Sequence, residues 1–146
     1  MSKRHTLVHR IADWAERQGD TPAIWGKDAS GNWQSKSWTQ YWTDVRDFAK
    51  GLIALGHEVG DCVAIVGDNR PEWVVCQFGI MAARGVPAPI YTTNTTAQAA
   101  YIVSHCRGKI AICDKQLQLD KSLEASAAGD INVETIMAIM HCMPRL

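Results

Sequence analysis

Apolar residues recur along this chain in two alternating rhythms. Leu7, Ile11 and Trp14 stand at i, i+4 and i+7, one stripe on a helix of roughly three turns that ends near Gly19. "TPAIWGK" and "WQSKSW" are short β-like runs separated by Asp-Ala-Ser-Gly-Asn, the pattern of a hairpin with a five-residue loop. A second helix is predicted from about Thr39. Val45, Phe48, Ala49, Leu52, Ile53 and Leu55 form its buried face, and Gly56 stops it.

Strands and helices then alternate. "CVAIV" (62–66) is a continuous apolar run of buried-strand type. "NRPEWVVCQFGIMAARG" follows as a helix, with Asn69 as its cap, Glu72 completing a capping box, Pro71 in the first turn and Gly85 at the end. This helix is apolar nearly all round, so it should be buried on several sides. "VPAPIY" reads as a strand, and a helix covers about Ala97 to Cys106. "KIAICD" is a strand, "KQLQLDKSLEAS" a helix and "VETIMAIM" a last strand-like run.

Such alternation with short connections predicts an α/β fold with a mainly parallel sheet and flanking helices, preceded by an N-terminal helix and a β-hairpin. The division is a helix over 1–19, a hairpin over 20–38 and alternating α/β over 39–146, all within one domain spanning 1–146. Pro87 and Pro89 share parity, so both remove donors from the same side of their strand. That side should be unpaired at its start or form an edge.

Bulk composition narrows the partners. Fifteen basic residues balance fifteen acidic ones, with no basic stripe, which argues against nucleic acid. The N-terminus lacks the apolar core of a signal peptide, and no run reaches the roughly 18 apolar residues of a membrane span. A cytoplasmic chain is expected, with peripheral membrane contact left open. The five cysteines, Cys62, Cys76, Cys106, Cys113 and Cys142, sit mostly in apolar runs without C-x-x-C spacing, as reduced core thiols do. His105-Cys106 and His141-Cys142 lack two further ligands at zinc-binding spacing.

The stretch "IYTTNTTAQAAYI" (90–102) tests for nucleotide chemistry. Phosphate cradles use glycines for close backbone approach and a lysine for charge. This loop has neither. Thr95 and Gln98 instead fit a capping box, and Thr92 and Thr93 suit a strand end. The turn after Val66 has one glycine, Gly67, so a dinucleotide fingerprint fails, although the following helix N-terminus could attract an anion. Ser104-His105-Cys106 is contiguous and cannot form a relay. Asp44 and Asp47 sit at i, i+3 on what should be a solvated face. The six tryptophans are scattered, with Trp14 and Trp73 on core-type faces. No catalytic, cofactor-binding or metal-binding residue is expected in this chain.

The order "SWTQYWTDVRDFAKGLIALGHEVGDCVAIVGDNRPEWVVCQFGIMAARGVPAPIYTTNTTAQAAYIV" resembles the N-terminal region of AMP-forming acyl-CoA synthetases, of the adenylate-forming ligase superfamily. The likeness covers about Leu7 to Asp114. "GDCVAIVGDNRPEW" is similar to the family's Gly-Asp-x-Val-Ala-Ile…Asn-x-x-Glu-Trp signature, and "ARGVPAPIYTTNT" to its Ala-Gly-x-x-x-Pro-x-Tyr segment. Pro-Ile-Tyr-x-Thr-Asn-Thr wording points to the long-chain fatty-acid branch. Departures are Cys62, where the family often has Arg or Lys, and Trp42, where the second helix often has Glu. The resemblance implies a partial N-terminal subdomain of the adenylate-forming ligase fold. For the full-length parent it implies fatty acid, ATP, Mg²⁺ and CoA as ligands. It also places the phosphate loop, T-S-G-T-T-G-x-P-K, downstream of this region, so the chain alone should be inactive. Helix 71–84 is a candidate wall of an acyl pocket in the parent, although so apolar a helix is more often plain core. The rival expectation is a non-enzymatic α/β binding module that self-associates through exposed apolar surface.

Overall fold

A computed structural model describes residues 6–28 and 30–139. The elements are α1 (Leu7–Gln18), β1 (Pro22–Lys27), β2 (Trp33–Ser37), α2 (Trp38–Ala54), β3 (Cys62–Val66), α3 (Pro71–Ala82), β4 (Val86–Ile90), α4 (Thr96–His105), β5 (Ile110–Cys113), α5 (Gln116–Ala127) and β6 (Thr135–Ala138). β3 to β6 form one parallel sheet in the order β4-β3-β5-β6, while β1 and β2 pair as an antiparallel hairpin. The expected α/β architecture with an N-terminal helix and hairpin is present. The end of "VETIMAIM" lies outside the described residues.

Strand parity sorts the core into two faces. Val63, Ile65, Ile110 and Ile112 point to one side, where Ala49 and Leu52 of α2 and Cys76 and Ile80 of α3 cover them. Ala64 and Ala111 point to the other, under Ala100 and Val103 of α4 and Ala125 of α5. A third cluster, Ile11, Tyr41, Val45 and Val75, fastens α1 and the hairpin to the outside of α2 and α3. α3 is therefore sandwiched between the sheet and this outer layer, which explains why its sequence is apolar nearly all round. Its approach to α2 is close: a Cβ on Gly79 would come within 2.5 Å of Phe48 Cδ1.

The two prolines of β4 fulfil their parity rule. β4 is an edge of the sheet among the described residues, and the Val86 N–H bonds inward to the Asp61 carbonyl at 2.9 Å. Pro87 and Pro89 therefore face away from β3, where no donor is needed and a second strand finds none.

Several expected caps are different. α2 begins one residue early, at Trp38, and Ser37 and Gln40 form its capping box. Asn69 does not cap α3. Pro71 at the first helical position holds Arg70 extended at φ −147°, so the N-cap moves to Arg70, and Glu72 pairs with the Arg70 guanidinium at 3.1 Å. Gly85 does not take the left-handed position after α3. Arg84 does, at φ 63°, and the Gly85 N–H closes the turn on Ile80 O at 2.8 Å. Glycine is required at 85 for another reason: a side chain there would collide with the buried ring of His57.

The helix faces also shift. On α2 the buried positions are Tyr41, Val45, Ala49 and Leu52, spaced i, i+4, i+8 and i+11. Ile53 (58% exposed) and Leu55 fall off that stripe. On α1 only Ile11 is buried; Leu7 is exposed, and Trp14, exposed at its rim, stacks on Trp38 at 5.7 Å. Asp44 is not on a solvated face, because Lys36 of β2 reaches over to pair with it in a half-buried contact. Asp47 is solvated and pairs with Lys50. Cys76 and Cys113 are core thiols as expected, but Cys62 and Cys106 are only half-buried.

Candidate functional site at the carboxyl edge of the sheet

In doubly wound sheets, ligands bind outside the carboxyl ends of the strands where the winding reverses. Here the chain runs outward from β3 to β4, then returns across β3 to β5. The reversal lies between β3 and β5, at Gly67-Asp68 and Asp114-Lys115. Asp114 is fully buried there. Its Oδ2 accepts the Asp68 N–H at 2.7 Å, and its own N–H donates to Val66 O at 3.1 Å. Gly67 allows this approach, since a Cβ would lie 2.9 Å from Asp114 Cγ. Lys115 pairs with the Asp68 carboxylate, which holds the Lys115 ammonium above its ordinary range. Asp114 Oδ1 has no hydrogen-bond partner among the described residues.

The helices opening at this crevice differ from the others. α1, α2 and α4 each carry a capping box, while α3 and α5 show no side-chain cap among the described residues. Uncapped N-termini attract anions. The anions present are the protein's own carboxylates, Asp68 and Asp114. A triphosphate would meet these two carboxylates and two cations already engaged, Lys115 with Asp68 and Arg70 with Glu72, a poor fit for its charge.

The threonine-rich loop follows β4. Its turn is closed by the Asn94 N–H on Tyr91 O at 3.0 Å. Thr95 Oγ1 accepts from the Gln98 N–H at 3.3 Å, and Gln98 Oε1 accepts from the Thr95 N–H at 2.9 Å. The capping reading of Thr95 and Gln98 therefore holds. Beneath the loop, between α4 and α5, Ile90, Val103, Gln118 and Lys121 line a slot of about 30 Å³. That is room for ordered water, not for a nucleotide.

A wider groove of about 660 Å³ lies elsewhere, between the hairpin and the start of α3. Trp25 and Trp33 flank it, 56% and 64% exposed, with Arg70, Glu72 and Trp73 on its far wall. Lys27 Nζ sits 5.2 Å from the centre of the Trp33 ring.

Ser104, His105 and Cys106 diverge, as their contiguity requires. Ser104 Oγ donates to Asp130 O at 2.9 Å, the His105 ring stacks on Tyr101 at 5.7 Å, and Cys106 meets Cys62. Among the described residues no group of three His, Cys, Asp or Glu is placed to hold a metal ion, and His141 and Cys142 lie outside them. Nor is any described helix long and apolar enough to cross a membrane. Asp114 escaped the reading of the sequence. Its one signal there is an acidic residue directly after the all-apolar strand "IAIC".

The fold and the sequence agree with known proteins. The anthranilate CoA ligase AuaEII, solved with anthranoyl-AMP, superposes with a TM-score of 0.79 at 20% identity, covering 90% of this chain and 24% of that one. A fatty acyl-adenylate ligase from L. pneumophila, solved with acyl adenylate and pyrophosphate, gives 0.78 at 16% identity, covering 94% and 24%. Long-chain-fatty-acid–CoA ligase ACSBG1 of Bos taurus is 38% identical over 124 residues, 84% of this chain. The chain spans 17% of that relative's length. Residues 11–143 match the family model described as AMP-binding enzyme. This chain therefore belongs to the AMP-binding enzyme family and resembles the N-terminal part of its long-chain fatty-acid–CoA ligases.

Proposed function

We propose that this chain is the N-terminal scaffold of a long-chain fatty-acid–CoA ligase, and that the chemistry is carried by parts of the ligase beyond it. The whole enzyme would convert ATP, fatty acid and CoA to acyl-CoA, AMP and pyrophosphate through an acyl-adenylate, with Mg²⁺ on the phosphates. The observation that carries this reading is the match to long-chain ligases over most of this chain but a small share of theirs. The site geometry supports it: at the reversal Asp114 Oδ2 is engaged by the Asp68 N–H, and Thr95 serves as the cap of α4. Adenylation needs preorganised donors on the transferring phosphates. On this reading the 146 residues alone are inactive, a cytoplasmic α/β unit whose catalytic and cofactor-binding residues lie in the rest of the ligase. The coding sequence past Leu146 tests this: the reading requires T-S-G-T-T-G-x-P-K within it, in this or a shifted frame.

A second reading, a non-enzymatic binding module, is favoured by the exposed Trp25 and Trp33 beside their groove. Peripheral membrane contact or self-association belongs to this reading. It requires unrelated sequence after Leu146.

A further inference from the structure

Cys62 opens β3, and Cys106 is the C-cap of α4. The turn that ends α4 lies directly against the start of β3. Arg107 is left-handed at φ 53°, the Gly108 N–H closes on Val103 O at 3.1 Å, and a Cβ on Gly108 would stand 3.5 Å from Cys62 O. This makes the Cys62 and Cys106 side chains neighbours. Both residues are half-buried, so a small reagent can reach them, whereas Cys76 and Cys113 are buried in the core. Cys113 is further shielded by its contact with Ser122 Oγ at 3.4 Å.

We propose that Cys62 and Cys106 form a reversible dithiol–disulfide site, oxidised by a low-molecular-weight disulfide such as glutathione disulfide. Burial, and then the neighbouring Cys106 thiol, push the Cys62 thiol up to about 11, so little of Cys62 is thiolate at neutral pH. The Cys106 thiolate forms a bond to one glutathione sulfur. The glutathione S–S bond breaks, and one glutathione leaves as thiolate, taking up the proton that Cys106 lost. The Cys62 thiolate attacks the Cys106 sulfur, and the second glutathione leaves with the second proton. The protein loses two electrons and two protons; glutathione disulfide gains both. The product ties β3 to the end of α4 and excludes unfolded conformations in which they separate.

The test uses the folded chain, checked by circular dichroism, incubated with glutathione disulfide. Non-reducing peptide mapping should find Cys62 joined to Cys106 as the main product. The melting temperature should rise on oxidation and return with dithiothreitol. In denaturant the same treatment should lose this selectivity. Cys62→Ala should accumulate glutathione on Cys106. A wild-type chain that stays reduced, keeps glutathione on Cys106 without closing, or pairs either cysteine with another thiol would overturn the proposal. The wild-type map decides even where the variant fails to fold.

Discussion

The buried carboxylate of Asp114 accepts the backbone N–H of Asp68 at 2.7 Å, joining the ends of the two central strands across the reversal of the sheet. That bond spends on structure the position at which a fold of this kind usually meets its ligand. Asp114→Ala leaves the Asp68 N–H without its acceptor, at a cost of about 1–3 kcal/mol. Asp114→Asn keeps an acceptor oxygen and should lose less. Urea denaturation of the three proteins checks the order; equal stability throughout would remove the bond from the account.

Gly79 and Phe48 set the spacing of α3 against α2. Gly79→Ala gains helix propensity of about 1 kcal/mol but drives a methyl into the Phe48 ring, and overpacking of that kind costs about 1–3 kcal/mol. Net destabilisation is expected, relieved when Phe48→Leu is added. A double-mutant cycle in denaturant measures the coupling, and additive effects would contradict the close contact.

Arg84 holds a left-handed backbone that glycine adopts freely. Arg84→Gly should stabilise the chain by about 1 kcal/mol, since a left-handed non-glycine residue costs about that much. The thermal midpoint should rise by about 2–4 °C. A fall would mean that the arginine side chain makes an interaction worth more than the strain.

Burial raises the Tyr41 hydroxyl well above its ordinary range. The folded chain thus keeps a proton that the unfolded chain releases above about pH 10. Stability from this group is complete below that value and falls as pH rises beyond it, by at most about 1.4 kcal/mol per pH unit. Cys62 and Cys113, also raised chiefly by burial, act in the same sense from about pH 8.5. Tyr41→Phe should abolish the steeper part above pH 10, measured as denaturation midpoint against pH. An unchanged profile would show that Tyr41 ionises equally in both states.

Periodicity made the element order and the parallel sheet legible, because strands such as "CVAIV" and "IAIC" are apolar on both faces and lie between helices. The cap of α4 was legible too, because Thr95 and Gln98 bond within four residues of each other. What escaped depended on contacts distant in sequence. Asp114 meets Asp68 from 46 residues away, Lys36 crosses to Asp44, and Gly85 is glycine because of His57. The start of α3 was misplaced by one residue because Pro71 acts on the residue before it, which outweighed the pull of Asn69 as a cap. The candidate site was the least legible part, since its main residue is a single Asp with no local motif.

The most direct test of the central claim is pyrophosphate release by the purified 146-residue chain, supplied with ATP, Mg²⁺ and a long-chain fatty acid. The account predicts no release above that of a sample without fatty acid. Fatty-acid-dependent release from this chain alone would contradict it.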